Sequence, residues 1–177
     1  MVMKPEAIIA LVGLLATASL TDIRRCRIPN WLTLTAAVAG LTLNAAAVGA
    51  RGVLFGIEGL LLGMGLFMVP YLLGGMGAGD VKLMASVGAI VGPHAAFVAA
   101  FCAAFAGGIY ALAVISVHPR AKATRTAVMA TLVGFFSFHS LRYDGPAAGD
   151  TKPRLCYGVA IAVGTIAAVI LEGGWRW

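Results

Sequence analysis

The stretch AVMATLVGFFSF, from Ala127 to Phe138, decides how many times this chain crosses a bilayer. Its 12 residues are too few for a span, which needs roughly 20, and runs of about 10–14 are usually interfacial or re-entrant. Polar segments flank it, Pro119 to Arg125 before and His139 to Arg154 after. Outside them lie longer apolar runs: Ala7 to Thr21, Trp31 to about Ala50, Val53 to about Leu73, Leu83 to Val91, His94 to about Val117, and Leu155 to Leu171. The fourth run is short, so its helix should begin at Asp80, and Gly92 with Pro93 should punctuate its end.

Basic residues give an independent count. With 127–138 not spanning, ten of the 13 Lys and Arg residues share one side, leaving Lys4, Arg51 and Arg176 opposite. If it spans, the division weakens to eight against five. Cytoplasmic loops hold the basic excess, so the sequence predicts six spans with both termini outside. The fold expected is all-α: a polytopic membrane helix bundle of about six transmembrane helices, forming one membrane-embedded domain over 1–177.

Composition agrees. Apolar residues make up 60% and charged residues 11%, against about 25% charged in soluble domains, and the mean hydropathy is +0.94. Too little polar surface exists to face water, so lipid is the expected solvent and partner. The net charge of +6 comes from clusters between apolar runs, not from a basic stripe interleaved with aromatics, which argues against nucleic acid. Lys4 alone precedes the first run and basic residues follow it, so that run reads as a retained helix and not a signal peptide. Cys26, Cys102 and Cys156 form no C-x-x-C pair, and suggest neither a zinc site nor a disulfide framework. His94, His118 and His139 show no ligand spacing, so no metal and no cofactor are assigned. Gly59 with Gly63, and Gly88 with Gly92, have the G-x-x-x-G spacing that lets helices approach closely in lipid.

Seven carboxylates remain to be judged. Glu6, Asp144, Asp150 and Glu172 fall in termini or polar stretches. Glu58 lies near the outer end of the third run, where a snorkelling or paired structural role is expected. Asp22 and Asp80 both fall at the cytoplasmic boundary, so residues 58 positions apart can meet. Two such carboxyls in contact cannot both ionise comfortably. One then activates water while the protonated partner polarises a carbonyl. Blander roles compete: Asp22 beside Arg24 and Arg25 as a solvated flank, and Asp80 as a helix cap.

The stretch GAGDVKL from Gly77 to Leu83 resembles the G-x-G-D motif of intramembrane aspartyl proteases. Asp22, followed by IPNWLT from Ile28 to Thr33, resembles the D…I-P-N-x-L-T signature of type IV prepilin peptidases. Lys152 to Ala162 is similar to that family's K-x-P-Y-G-x-x-x-A segment, with Cys156 where proline is usual. The resemblance implies a bacterial cytoplasmic-membrane endopeptidase. It would cut the basic leader from type IV prepilins and pseudopilins at the cytoplasmic face, with Asp22 and Asp80 catalytic. It is closest to the short Flp/Tad-type form, without the C-x-x-C-bearing N-terminal region of the bifunctional members, so protease activity without methyl transfer is expected.

The motif residues also carry physical expectations. Gly77 and Gly79 should permit positive φ and close backbone approach. Pro29 should fix the chain leaving the first loop, and Asn30 should cap the second helix. Lys82 should either orient the site or set topology. The rival reading is an ion-coupled transporter using Glu58 and Asp80, which calls for midplane sites between repeats, and no repeat is visible. A noncatalytic pilus-assembly scaffold is a third.

Overall fold

A computed structural model of the chain describes residues 5–72, 76–117 and 157–171. Every regular element among them is helical: α1 (Pro5–Arg25), α2 (Asn30–Val48), α3 (Ala50–Leu72), α4 (Ala78–Val117) and α5 (Gly158–Leu171). The first four are long and apolar enough to cross a membrane, and α5 is a shorter apolar helix. The segment 127–138 lies outside the described residues.

Helix α4 is two helices in sequence. Gly92 breaks it with φ 80 and ψ 178, a left-handed backbone that side chains resist. A β-carbon there would also overlap the Phe55 ring. Pro93 follows and lacks an N–H, so the carbonyl of Ala89, one turn earlier, loses its helical donor. Asn44 on α2 supplies the replacement: its Nδ2 donates to the oxygens of Ala89 at 2.9 Å and Ile90 at 3.3 Å.

The break turns α4 into a hairpin. Residues 78–91 form a first limb about 21 Å long at 1.5 Å per residue. That is shorter than the roughly 30 Å hydrocarbon core, but the limb is sheathed in protein. Leu83, Met84, Val87, Ala89, Ile90 and Val91 are all essentially inaccessible. The second limb returns beside α5, with Ala103 against Gly164 and Gly107 against Tyr157. Its outward stripe of Phe97, Phe101 and Phe105 is exposed, as lipid-facing residues are. With the break at Gly92, the five described helices give six helical segments, roughly the number expected, and four of the helices are long and apolar enough to cross a membrane.

Packing around the first limb depends on small residues. The buried stripe of α3 is Gly52, Gly56, Gly59, Gly63 and Phe67, at the three- and four-residue steps of one helical face. A β-carbon on Gly59 would overlap the carbonyl oxygen of Gly88, and one on Gly88 would overlap that of Gly59. Both G-x-x-x-G pairs therefore meet at one crossing, backbone against backbone.

Candidate functional site

One end of the bundle gathers the close of α1, the starts of α2, α4 and α5, and the returning limb at Gly107. The inward stripe of α1 runs through Ala7, Leu11, Leu14, Leu15 and Ala18 and continues to Asp22. Asp22 is 3% exposed, whereas Arg24, Arg25 and Arg27 face outward. Burial on the apolar stripe rules out a solvated flank. The N–H of Cys26 donates to the Asp22 carbonyl at 2.7 Å, and Cys26, with φ 44, ends the helix. Cys26 is disulfide-bonded, which corrects the expectation from cysteine spacing; such pairing depends on spatial proximity that spacing does not encode.

Asp80 stands in the first turn of α4 and is 6% exposed. Its Oδ2 accepts the N–H of Gly77 at 3.0 Å, and its own N–H donates to the Gly77 carbonyl at 3.1 Å. Asp22 Oδ2 accepts the N–H of Gly158, the first residue of α5, at 2.7 Å. The two carboxyls lie within electrostatic range of each other. Each is held by one oxygen, and no described residue donates a hydrogen bond to either Oδ1. No described Lys or Arg pairs with them. An arrangement of two buried carboxyls, each with one oxygen that no described donor takes, can position and deprotonate a water.

The positioning residues come together here with altered roles. Among the described residues Gly77 and Gly79 have no positive φ; that geometry occurs at Gly49, Gly92 and Cys26. What Gly79 supplies is closeness: a β-carbon there would sit 3.2 Å from Cβ of Ile28, so the two motif segments touch. Asn30 does not cap α2. Pro29 occupies the cap with φ −66 and ψ 137, without a side-chain bond. Asn30, one position into the helix, accepts through Oδ1 from Lys82 Nζ at 2.9 Å. Lys82 therefore ties α4 to α2 and forms no ion pair with Asp22 or Asp80. Deeper in, the Ser86 hydroxyl lies 2.7 Å from the carbonyl oxygens of both Thr33 and Lys82. Glu58 is exposed on α3, level with the Gly88–Gly92 end of the first limb and more than two turns from Asp80. That separation leaves no shared ion site.

Gly158 has no place among the residues singled out from the sequence, although it lies within a family-like segment. A β-carbon there would stand 2.8 Å from Asp22 Oδ2, so the close N–H contact needs a glycine. Among the described residues no three His, Cys, Asp or Glu side chains gather as a metal site would require.

Neither curated proteins nor solved structures give a significant match to this chain. A family model described as the type IV leader peptidase family matches residues 9–112, a span that holds α2 and α3, most of α1 and α4, and Asp22 with Asp80. On that match, carried by more than half of its length, this multi-pass membrane protein belongs to the type IV leader peptidase family, a family of proteases.

Proposed function

We propose that the chain is an aspartic endopeptidase that removes the N-terminal leader of Flp-like type IV prepilins and pseudopilins. It would act at the cytoplasmic face of the bacterial cytoplasmic membrane, for pilus biogenesis or related secretion. The supporting observation is the buried pair at one end of the bundle. Asp22 and Asp80 are each fixed through Oδ2 by a backbone N–H, and among the described residues no cation pairs with them and no donor takes Oδ1.

Two carboxyls that act on one water share a proton. The ionised carboxylate takes a proton from water, and the hydroxide attacks the scissile carbonyl carbon. The protonated carboxyl hydrogen-bonds the carbonyl oxygen as negative charge builds there. Collapse of the tetrahedral intermediate breaks the C–N bond, and the amine leaves with a proton. Water and a peptide bond become a carboxylic acid and an amine, with no cofactor or metal. A leader rich in basic residues ahead of an apolar helix suits this position: the helix lies in lipid beside the exposed faces of the bundle while the leader stays in water. Methyl transfer is not part of the proposed activity.

Co-expression with a prepilin, read by the mobility shift of the mature form, tests the proposal. Asp22→Asn and Asp80→Asn should insert normally and leave the leader uncut. Normal processing by both variants would defeat the reading.

A further inference from the structure

Tyr157 immediately precedes the residue whose N–H holds Asp22. Its carbonyl accepts from Ile161 N at 3.0 Å, which fixes its backbone in the first turn of α5. Its ring fills a notch on the returning limb of α4. A β-carbon on Gly107 would overlap Cε1 and stand 2.5 Å from Cζ and 2.6 Å from the hydroxyl oxygen. The phenol end of the ring, not its stem, is therefore the part held against Gly107. Asp80 lies within electrostatic range of the hydroxyl. The start of α5 and the returning limb of α4 thus hold this side chain near the carboxyl pair.

The hydroxyl has no hydrogen-bond partner among the described residues, although Tyr157 is largely covered. Buried tyrosine hydroxyls ordinarily find one. Burial, with the negative charge of Asp80 acting in the same sense, lifts the phenol above the usual range of a tyrosine, so the oxygen keeps its proton and remains a donor. The donor is thus left for an acceptor beyond the described residues. An extended peptide lying across Asp22 and Asp80 brings one, because its backbone carbonyls are acceptors without side-chain requirements.

We propose that the Tyr157 hydroxyl donates a hydrogen bond to the backbone carbonyl at the scissile peptide, supporting its oxygen as water adds. This role rests on the protease reading above and extends it with a donor outside the carboxyl pair. Donors aimed at a developing oxyanion contribute about 10²- to 10³-fold in kcat.

The test is Tyr157→Phe in the full-length protein, assayed on purified prepilin in liposomes. The variant should lower kcat about 100-fold, leave KM within about threefold, and unfold at the wild-type temperature or above, since no described residue partners the lost oxygen. Gly107→Ala, which pushes the ring out of its notch, should lower kcat similarly. The double variant should be no worse than either single one, because both remove the same contact. Wild-type kcat in Tyr157→Phe would overturn the proposal, as would a loss of kcat accompanied by a lowered unfolding temperature. The two readings fail separately. If the wild type cuts, Asp22→Asn does not, and Tyr157→Phe cuts normally, only the hydroxyl's role falls. If wild type and Asp22→Asn behave alike, both fall.

Discussion

Asp22 is buried because it stands four residues beyond Ala18 on the inward stripe of α1, and it is held there because the first N–H of α5 donates to its Oδ2. Helix N-termini favour negative charge, but the 2.7 Å contact also requires that nothing project from Gly158. Gly158→Ala should push the carboxyl aside by a few tenths of an ångström or more. Misplacement on the scale of 1 Å costs about 10²-fold in such sites, so cleavage should fall by one to two orders of magnitude while insertion and thermal stability hold. Prepilin processing beside thermal unfolding in detergent checks this. At this scale the sequence was legible where rarity marks a residue: a carboxylate at the edge of an apolar run stands out, and a neighbouring motif singled out Asp22 and Asp80. The Gly158 N–H was not legible, because a backbone donor has no letter of its own. Asn30 was misread for a related reason. Its side chain suits a cap, and only the position of Lys82 in space gives it another partner.

The elements follow their apolar runs closely, and the differences lie at the ends. Helix α1 runs on to Arg25, past the polar residues that close its apolar run, and α4 begins at Ala78, two residues before Asp80. Hydrogen-bonded turns continue as long as backbone geometry permits, whatever the hydropathy. Gly92 and Pro93 were legible as a break. That the break is a hairpin capped by Asn44 was not, since a lone Asn in an apolar helix names no acceptor. Asn44→Leu should leave the Ala89 carbonyl without a donor and cost about 1–3 kcal/mol, read as a lowered unfolding temperature. Cutting Lys82 from Asn30 with Lys82→Met removes only an exposed link between α4 and α2. It should change stability by less than about 1 kcal/mol and slow cleavage less than Gly158→Ala does.

The antiparallel packing of the described helical segments places Asp22, Asp80, Tyr157 and Gly158 at one end of the bundle. Sequence could locate the helices, because hydropathy gave the runs. It could not give their order around the centre, which depends on backbone contact at glycines. The first limb of α4 sits inside because α3 and α2 offer it faces of small residues, Gly59 toward Gly88 and Gly40 toward Ala89. Gly59→Leu should force α3 away from that limb at a cost of roughly 3 kcal/mol. Folded yield and cleavage should then fall together, unlike Asp22→Asn, which should remove cleavage alone.

The central claim is that Asp22 and Asp80 share one site at one membrane face, and it can be measured without a substrate. In a chain with all three native cysteines replaced, Asp22→Cys together with Asp80→Cys should be joined within one polypeptide by a short bifunctional thiol reagent. Each single variant should react only once, with reagent reaching both positions from the same side of the membrane. Labelling of the two positions from opposite sides, or of both with no joined product, would contradict the account.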